Sequence, residues 1–391
     1  MSAPIASELH WLCAGREIFQ KVLSAIATAK FSVQLETYIY SNGQVGRQIL
    51  EALLGAVHRG VRVQVLVDAI GSWLLPDDFF HPLVAAGAEV RRFNPIHPLR
   101  FGVRDHRKLL ICDEAVAFIG GFNLADEYAG DGITHGWCDL GVHIENRLLA
   151  ARLAGSFAEL FALSDFRKKA WLQFHVFNHR RGSKKPSVGG LLLAQPGRGA
   201  SHFQSALYRD LRHARSVQII SPYFLPTHRL RRDLMRVTRR GGRVQLILPS
   251  KTDVLISQLA AWSLYPRLLR AGVEIFEYQP QILHAKLVCI DGVVYAGSSN
   301  LDIRSLNLNY ELMLRSEVKA FVAQAQAIFV NLLKQSRKIE LRSWLRTQTF
   351  WRRWKNHWAH FLLTRIDPFI ALRQFRTLRK SAYGKKQRAI Q

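Results

Sequence analysis

The chain is short of acid. It carries 29 Asp and Glu against 55 Lys and Arg, a formal net charge of +26 over 391 residues. An imbalance of that size predicts attraction to a polyanion, with anionic lipid and nucleic acid as the two candidates. Cysteine is scarce as well. Cys13, Cys112, Cys138 and Cys289 are scattered, with no CxxC pair and no Cys/His cluster. That excludes a disulfide framework and a zinc site, and Cys112 and Cys289, inside apolar runs, read as buried thiols. The N-terminal Met-Ser-Ala-Pro-Ile-Ala has neither basic nor apolar signal regions, so no secretory signal is expected. No apolar run reaches the ~20 residues that span a bilayer, and membrane association is expected to be peripheral. With 48% apolar residues, the composition is that of a globular chain long enough for two domains.

An internal repeat organises those domains. Ser32-Val-Gln-Leu followed by Arg59-Gly-Val-Arg-Val-Gln-Val-Leu-Val67 is echoed by Ser216-Val-Gln-Ile followed by Arg240-Gly-Gly-Arg-Val-Gln-Leu-Ile-Leu248. A helical stretch lies between each pair (Val45–Arg59 and Leu230–Arg240) and ends at Arg-Gly, where glycine suits a helix C-terminus. Ala86–Val90 and Ala271–Ile275 repeat a second helix stop leading into a strand. Strands alternating with helices predict α/β architecture with largely parallel pairing. The expected organisation is a first repeat over 1–166, a basic linker over 167–190 containing Trp171, Phe174 and Phe177, a second repeat over 191–335, and a tail over 336–391.

Both repeats carry the same polar pattern. The first is His106-Arg-Lys108 with Asp113, then Gly120-Gly121-Phe-Asn123; the second is His284-Ala-Lys286 with Asp291, then Gly297-Ser298-Ser-Asn300. His and Lys two apart share a face if they lie on a strand. Two-residue turns at Asp113-Glu114 and Asp291-Gly292 set 106 opposite 121 and 284 opposite 299, which puts each Asn beside its own His and Lys. An imidazole, an ammonium and an amide gathered twice suit attack on a phosphodiester. One neutral imidazole is the nucleophile, a second, protonated, frees the leaving oxygen, and lysines and amides hold the growing charge. Such a scheme requires no metal, no carboxylate cluster for one is visible, and no cofactor is expected. Asp113 and Asp291 complete the motif's catalytic set, yet they fall at the turns, where a structural role outweighs a chemical one. One copy of the pattern is weak; two copies at near-identical spacing are specific.

The paired HxKxxxxD–GxxN pattern resembles the phospholipase D superfamily over about Glu8 to Ser336. Leu35-Glu-Thr-Tyr-Ile-Tyr40, Phe118-Ile-Gly-Gly-Phe-Asn123 and Gly297–Leu306 make it most similar to bacterial cardiolipin synthases of the short type, without N-terminal membrane helices. The resemblance implies two pseudo-symmetric α/β/α lobes with the active site at their interface. It implies a later acid in each half that orients the histidine, matching Asp139 and Glu311 here, and His106 as the nucleophile. Gly121 stands where the superfamily often has Ser, so a hydroxyl that Ser298 keeps in the second half is missing from the first.

From Lys334 onward sixteen Lys/Arg face two acids, Glu340 and Asp367. Trp351, Trp354, Trp358, Phe361 and Leu362 recur at helical steps, with Arg352, Arg353 and Lys355 off that stripe. This is the composition of a helix lying in a membrane interface, and equally of one packing its aromatic stripe on the core. Pro368 and Phe369–Leu372 suggest a further short piece. The expected function is phosphatidyl transfer between phospholipids at the cytoplasmic membrane surface, making cardiolipin from phosphatidylglycerol through a phospho-histidine. A phospholipase D-type hydrolase or nuclease and a non-catalytic basic membrane-binding protein are the alternatives. Intact His, Lys and Asn in both halves count against the last, and the amphipathic tail favours lipid over nucleic acid.

Overall fold

The computed structural model describes residues 8–94, 102–164, 190–196 and 200–366. The aromatic part of the predicted linker and the piece predicted after Pro368 lie outside them. Each repeat builds a sheet. The first sheet comprises β1 (Leu9–Leu12), β2 (Ser32–Thr37), β3 (Arg62–Asp68), β4 (Glu89–Phe93), β5 (Leu109–Cys112), β6 (Val116–Gly120) and β7 (Gly141–Ile144), in the order β1-β7-β6-β5-β2-β3-β4. The second repeat supplies β8 (Leu191–Ala194), β9 (Ser216–Ile220), β10 (Phe224–Leu225), β11 (Arg243–Pro249), β12 (Glu274–Tyr278), β13 (Leu287–Ile290), β14 (Val293–Gly297), β15 (Leu301–Asp302), β16 (Glu311–Ser316) and β17 (Ser336–Lys338). Its large sheet runs β17-β12-β11-β9-β13-β14-β16-β8, while β10 and β15 pair on their own.

Within the two large sheets the expected parallel pairing holds only for β2-β3-β4 and β9-β11-β12, and the small pair β10-β15 is parallel as well. The other pairs within the two large sheets are antiparallel. The reason is local. Helices return the chain across β2–β4 and β9–β12, whereas the polar motif folds back on itself in the tight hairpins β5–β6 and β13–β14, which force antiparallel neighbours. The crossover helices Gln44–His58 and His228–Arg239 form where the repeat places them. They stop at Gly60 and Gly241, whose φ of +83° and +82° a residue with a Cβ adopts only with strain.

Two long helices, Arg147–Leu163 and Lys319–Lys334, lie between the sheets. Phe157 and Leu160 of one and Phe321 and Phe329 of the other join Ile111, Ile119, Ile220, Leu287 and Val294 in a single apolar core spanning both repeats. Trp11 stacks on Phe321 at 4.4 Å and donates its indole N–H to the Phe321 carbonyl. The outer faces are covered by each repeat's own helices. Layered from one side to the other, the molecule reads helix, sheet, shared helices, sheet, helix. Shared burial on this scale, at roughly 25 cal/mol per Å² of apolar surface, locks the two halves together.

The motif aspartates anchor the hairpins. Asp113 accepts from the backbone N–H groups of Lys30, Phe31 and Ser32 at 2.7–2.9 Å, and Asp291 accepts from Arg215 and Ser216. Partial burial works against ionisation of Asp113, but its three backbone donors hold the carboxyl below the usual range. Both aspartates sit at the far end of the hairpins from the histidines, so the structure places them outside the chemistry. Asp113→Ala, which orphans three donors, is expected to cost about 1–3 kcal/mol, read as a lowered melting temperature. Lost turnover with an unchanged melting temperature would return Asp113 to the active site.

Candidate active site

The hairpins differ from the predicted register in one respect. β13 and β14 join through a two-residue turn, with Ile290 opposite Val293. In the first repeat Cys112 lies opposite Val116, so Asp113, Glu114 and Ala115 make a three-residue turn, with positive φ at Asp113 and Glu114. The count that set 106 opposite 121 is therefore off by one. His106, Lys108, His284 and Lys286 also lie just ahead of β5 and β13 instead of on them. What fixes the histidines is the other repeat. The His106 N–H donates to the Tyr310 carbonyl at 3.0 Å, and the His284 N–H donates to the Cys138 carbonyl at 2.7 Å.

These crossed bonds carry the orienting acids with them. Glu311, next to Tyr310, lies 3.1–3.2 Å from His106 Nδ1, and Asp139, next to Cys138, lies 2.6 Å from His284 Nδ1. Each acid thus serves the histidine of the opposite half. Sequence reading found both acids but not the crossing, because neither has a signal that says which histidine it meets. Both carboxylates are fully buried, and both imidazoles nearly so.

The lysines fold back beside their own histidines. Lys108 Nζ donates to the His106 carbonyl at 2.6 Å, and Lys286 Nζ lies 2.8 and 3.1 Å from the two ring nitrogens of His284. Burial, reinforced by Lys108 and Lys286, holds His106 well below the usual imidazole range. Burial with Lys286 beside it pulls His284 down to about 4, against Asp139. Desolvation pulls Lys108 to about 7 and Lys286 to about 8, and pushes Glu311 up to about 8. Each lysine lowers the other half's histidine as well as its own, so the four groups are one electrostatic unit.

Asn123 has partners that the hairpin count did not predict. Asn123 accepts from the Ile39 N–H and donates at 2.7 Å to the hydroxyl of Tyr128, which sits 3.5 Å from His284 Nε2. It therefore reaches the histidine of the other half, through a tyrosine that sequence reading missed; Tyr128 lies in no repeated string. Asn300 Oδ1 is buried without a donor. Aromatic rings close around the imidazoles. Tyr38 lies 5.0 Å from His106, and Trp137 and Tyr128 lie 5.6 and 5.2 Å from His284.

The Gly121/Ser298 difference has a structural meaning. The Ser298 hydroxyl donates to the Glu311 carboxylate, so it steadies an orienting acid instead of waiting for substrate. In the first half a Cβ at Gly121 would fall inside contact distance of the Asp139 carboxylate. The shorter acid and the missing side chain go together, leaving Asp139 room to close on His284. Among the described residues no group of three or more His, Cys, Asp or Glu side chains is arranged to hold a metal ion.

Two symmetric histidine–lysine pairs, clamped by crossed carboxylates between two α/β lobes, define a phosphoryl-transfer class of site. Residues 22–161 and 207–333 match the family described as cardiolipin synthase, PLD-like domain, and the chain belongs to that family. It is 34% identical over 307 residues to cardiolipin synthase B of Escherichia coli K12, covering 76% of this chain and 73% of that one. It is 32% identical over 311 residues to cardiolipin synthase 1 of Bacillus cereus, covering 76% of this chain but only 61% of the relative's length. In fold it is similar to the phosphatidylserine synthase of Haemophilus influenzae, with a TM-score of 0.73 at 14% identity over 94% of this chain and 96% of that one.

If the crossed acids set tautomer and orientation, Asp139→Asn and Glu311→Gln should each lower turnover by about a hundred- to ten-thousand-fold with little change in melting temperature. Gly121→Ala should do the same to a lesser degree by displacing Asp139. Turnover within threefold of wild type for Asp139→Asn would remove the carboxylate from the mechanism.

Proposed function

We propose that the protein is a cardiolipin synthase, transferring a phosphatidyl group from one phosphatidylglycerol to another at the cytoplasmic face of the membrane. The observation that carries this reading is the crossed pairing of two imidazoles with two buried carboxylates, which makes one two-histidine site from two repeats. His106 is the nucleophile. Its side chain is 11% exposed against 5% for His284, and Nε2 of His284 is already approached by Tyr128 and Lys286. His106 Nε2 attacks phosphorus, and the bond from phosphorus to the glycerol oxygen breaks. His284 Nε2 gives that oxygen its proton, so that glycerol leaves. A hydroxyl of the second phosphatidylglycerol then attacks phosphorus, passes its proton to His284, and the phosphorus–nitrogen bond breaks to release cardiolipin. Glu311 steadies the imidazolium formed on His106, as Asp139 does on His284.

The empty site disfavours positive charge, since burial depresses both histidines and both lysines. A phosphodiester anion works in the opposite direction and restores the protons the mechanism needs. Lys108 and Lys286 then meet the non-bridging oxygens, and Asn300 offers a buried amide to a substrate hydroxyl.

Membrane docking has two supports. The aromatic helix Phe350–Phe361 buries Asn356 and Ala359 and exposes Phe350, Trp351, Trp354, Trp358 and Phe361. Its stripe therefore does not pack on the core, and the interfacial reading gains. The loops after β3 and β11 add exposed apolar side chains, Trp73 and Leu74 in one half and Val254 in the other, where Leu255 and Ile256 of the helix that follows are exposed too. Both loops leave the sheets at the end where the histidines lie. No helix among the described residues is long and apolar enough to cross a membrane.

Phosphatidylglycerol vesicles should yield cardiolipin and glycerol, with phosphatidic acid a minor product. His106→Ala and His284→Ala should each abolish the reaction, and the double variant should be no worse than either. Mostly phosphatidic acid would make the protein a hydrolase, and DNA cleavage outpacing lipid turnover a nuclease. The pH profile should be a bell. Neutral imidazole persists well below pH 6.5, so the acid limb lies there. The alkaline limb begins as Lys108 and Lys286 lose protons near 7 and 8. A rate still rising through pH 9 would contradict this assignment.

A further inference from the structure

A pocket of about 720 Å³ opens between the helix Leu255–Trp262, the strand β17 and the two helices of the tail, Leu341–Thr347 and Phe350–Phe361. None of the candidate catalytic side chains lines it. β17 stands four places along the sheet from β13, the strand His284 precedes, or about 19 Å at ~4.8 Å per strand. The pocket is therefore a second compartment, outside the two-histidine cleft.

Its chemistry is lopsided. Leu255, Leu259 and Trp262 give it an apolar wall, and Trp344 lies against Trp262 and Tyr265 with ring centroids at 5.8 and 4.8 Å. The indole N–H of Trp344 is buried with no acceptor, a donor that ordinarily finds one. Both carboxylates in the wall are already engaged, Glu340 with Lys338 at 3.8 Å. Glu277 accepts from Trp262 and Tyr265 and pairs with Arg337 at 3.2 Å. Arg352 and Lys355 project from the tail helix into the same lining, and among the described residues no carboxylate pairs with either. A buried donor without an acceptor and two cations without a carboxylate, set beside an apolar wall, call for a ligand that is anionic at one end and hydrocarbon at the other. That the opening adjoins the exposed Trp351–Trp354–Trp358 stripe says where such a ligand comes from.

We propose that this pocket is a second, non-catalytic binding site for one anionic phospholipid drawn from the membrane. Its phosphate is held by Arg352, Lys355 and the Trp344 N–H, and an acyl chain lies along Leu255, Leu259 and Trp262. The site rests on the membrane-facing reading of the tail helix but not on the identity of the reaction. A bound lipid there bridges the tail helices to the catalytic body, so occupancy fixes the docked arrangement of the tail.

The test is photo-crosslinking of the full-length protein on phosphatidylcholine vesicles carrying a photoactivatable phosphatidylglycerol, followed by peptide mapping. Label is expected within 255–262 and 337–356, equally in wild type and in His106→Ala. The double variant Arg352→Glu/Lys355→Glu should lose at least about twenty-five-fold of that label relative to label at the catalytic cleft, two cations beside an anionic headgroup being worth about fivefold each. Trp344→Phe, which keeps the ring and removes the donor, should lose less but in the same direction. Label confined to the catalytic cleft would overturn the site. So would equal labelling by a photoactivatable phosphatidylcholine, or full protection by inorganic phosphate alone, which would make it a free-anion site. A labelled pocket in a protein that makes no cardiolipin would leave this site standing and sink the reaction, and an active enzyme with an unlabelled pocket would do the reverse.

Discussion

Everything in this molecule turns on the exchange of carboxylates between its halves. An imidazole buried among lysines is driven toward neutrality, and a carboxylate on its far nitrogen is what keeps it oriented and able to take up charge. Here that carboxylate always comes from across the pseudo-twofold axis: Glu311 for His106, Asp139 for His284. The backbone bonds that bring it, from His106 to Tyr310 and from His284 to Cys138, are also bonds that stitch the lobes together. Fold and site are therefore not separable. The shared core of Phe157, Phe321 and Phe329 exists to hold two short segments in register across the gap.

The two histidines have unequal partners. Asp139 approaches His284 at 2.6 Å because Gly121 yields the space. Glu311, longer and bonded to the Ser298 hydroxyl, stands at 3.1–3.2 Å from His106. That inequality is what the proposed assignment uses, with His284 as the acid and His106 as the nucleophile.

The sequence made the repeat, the crossover helices, their glycine stops and the motif residues legible, because each rests on local periodicity or a backbone requirement. It did not reveal what depends on the partner half. The three-residue turn at Asp113 has a second positive-φ residue, Glu114, beside Asp113, and no glycine announces it. Asn123 looked like a neighbour of His106 by hairpin counting. The structure adds a link that counting could not show, through Tyr128 to His284. The aromatic helix was correctly placed by its spacing, but only the structure says which side is covered, since Asn356 and Ala359 are too small and too polar to mark a buried face.

The crossed acids also say something about ancestry and divergence. A single repeat on its own has an imidazole with no orienting acid and an acid with no imidazole, so it becomes chemically whole only when two copies meet face to face. Joining the copies in one chain frees each from having to be its own mirror image. Once symmetry is no longer enforced the halves are free to differ, as they do here in glycine at 121 against serine at 298 and aspartate at 139 against glutamate at 311.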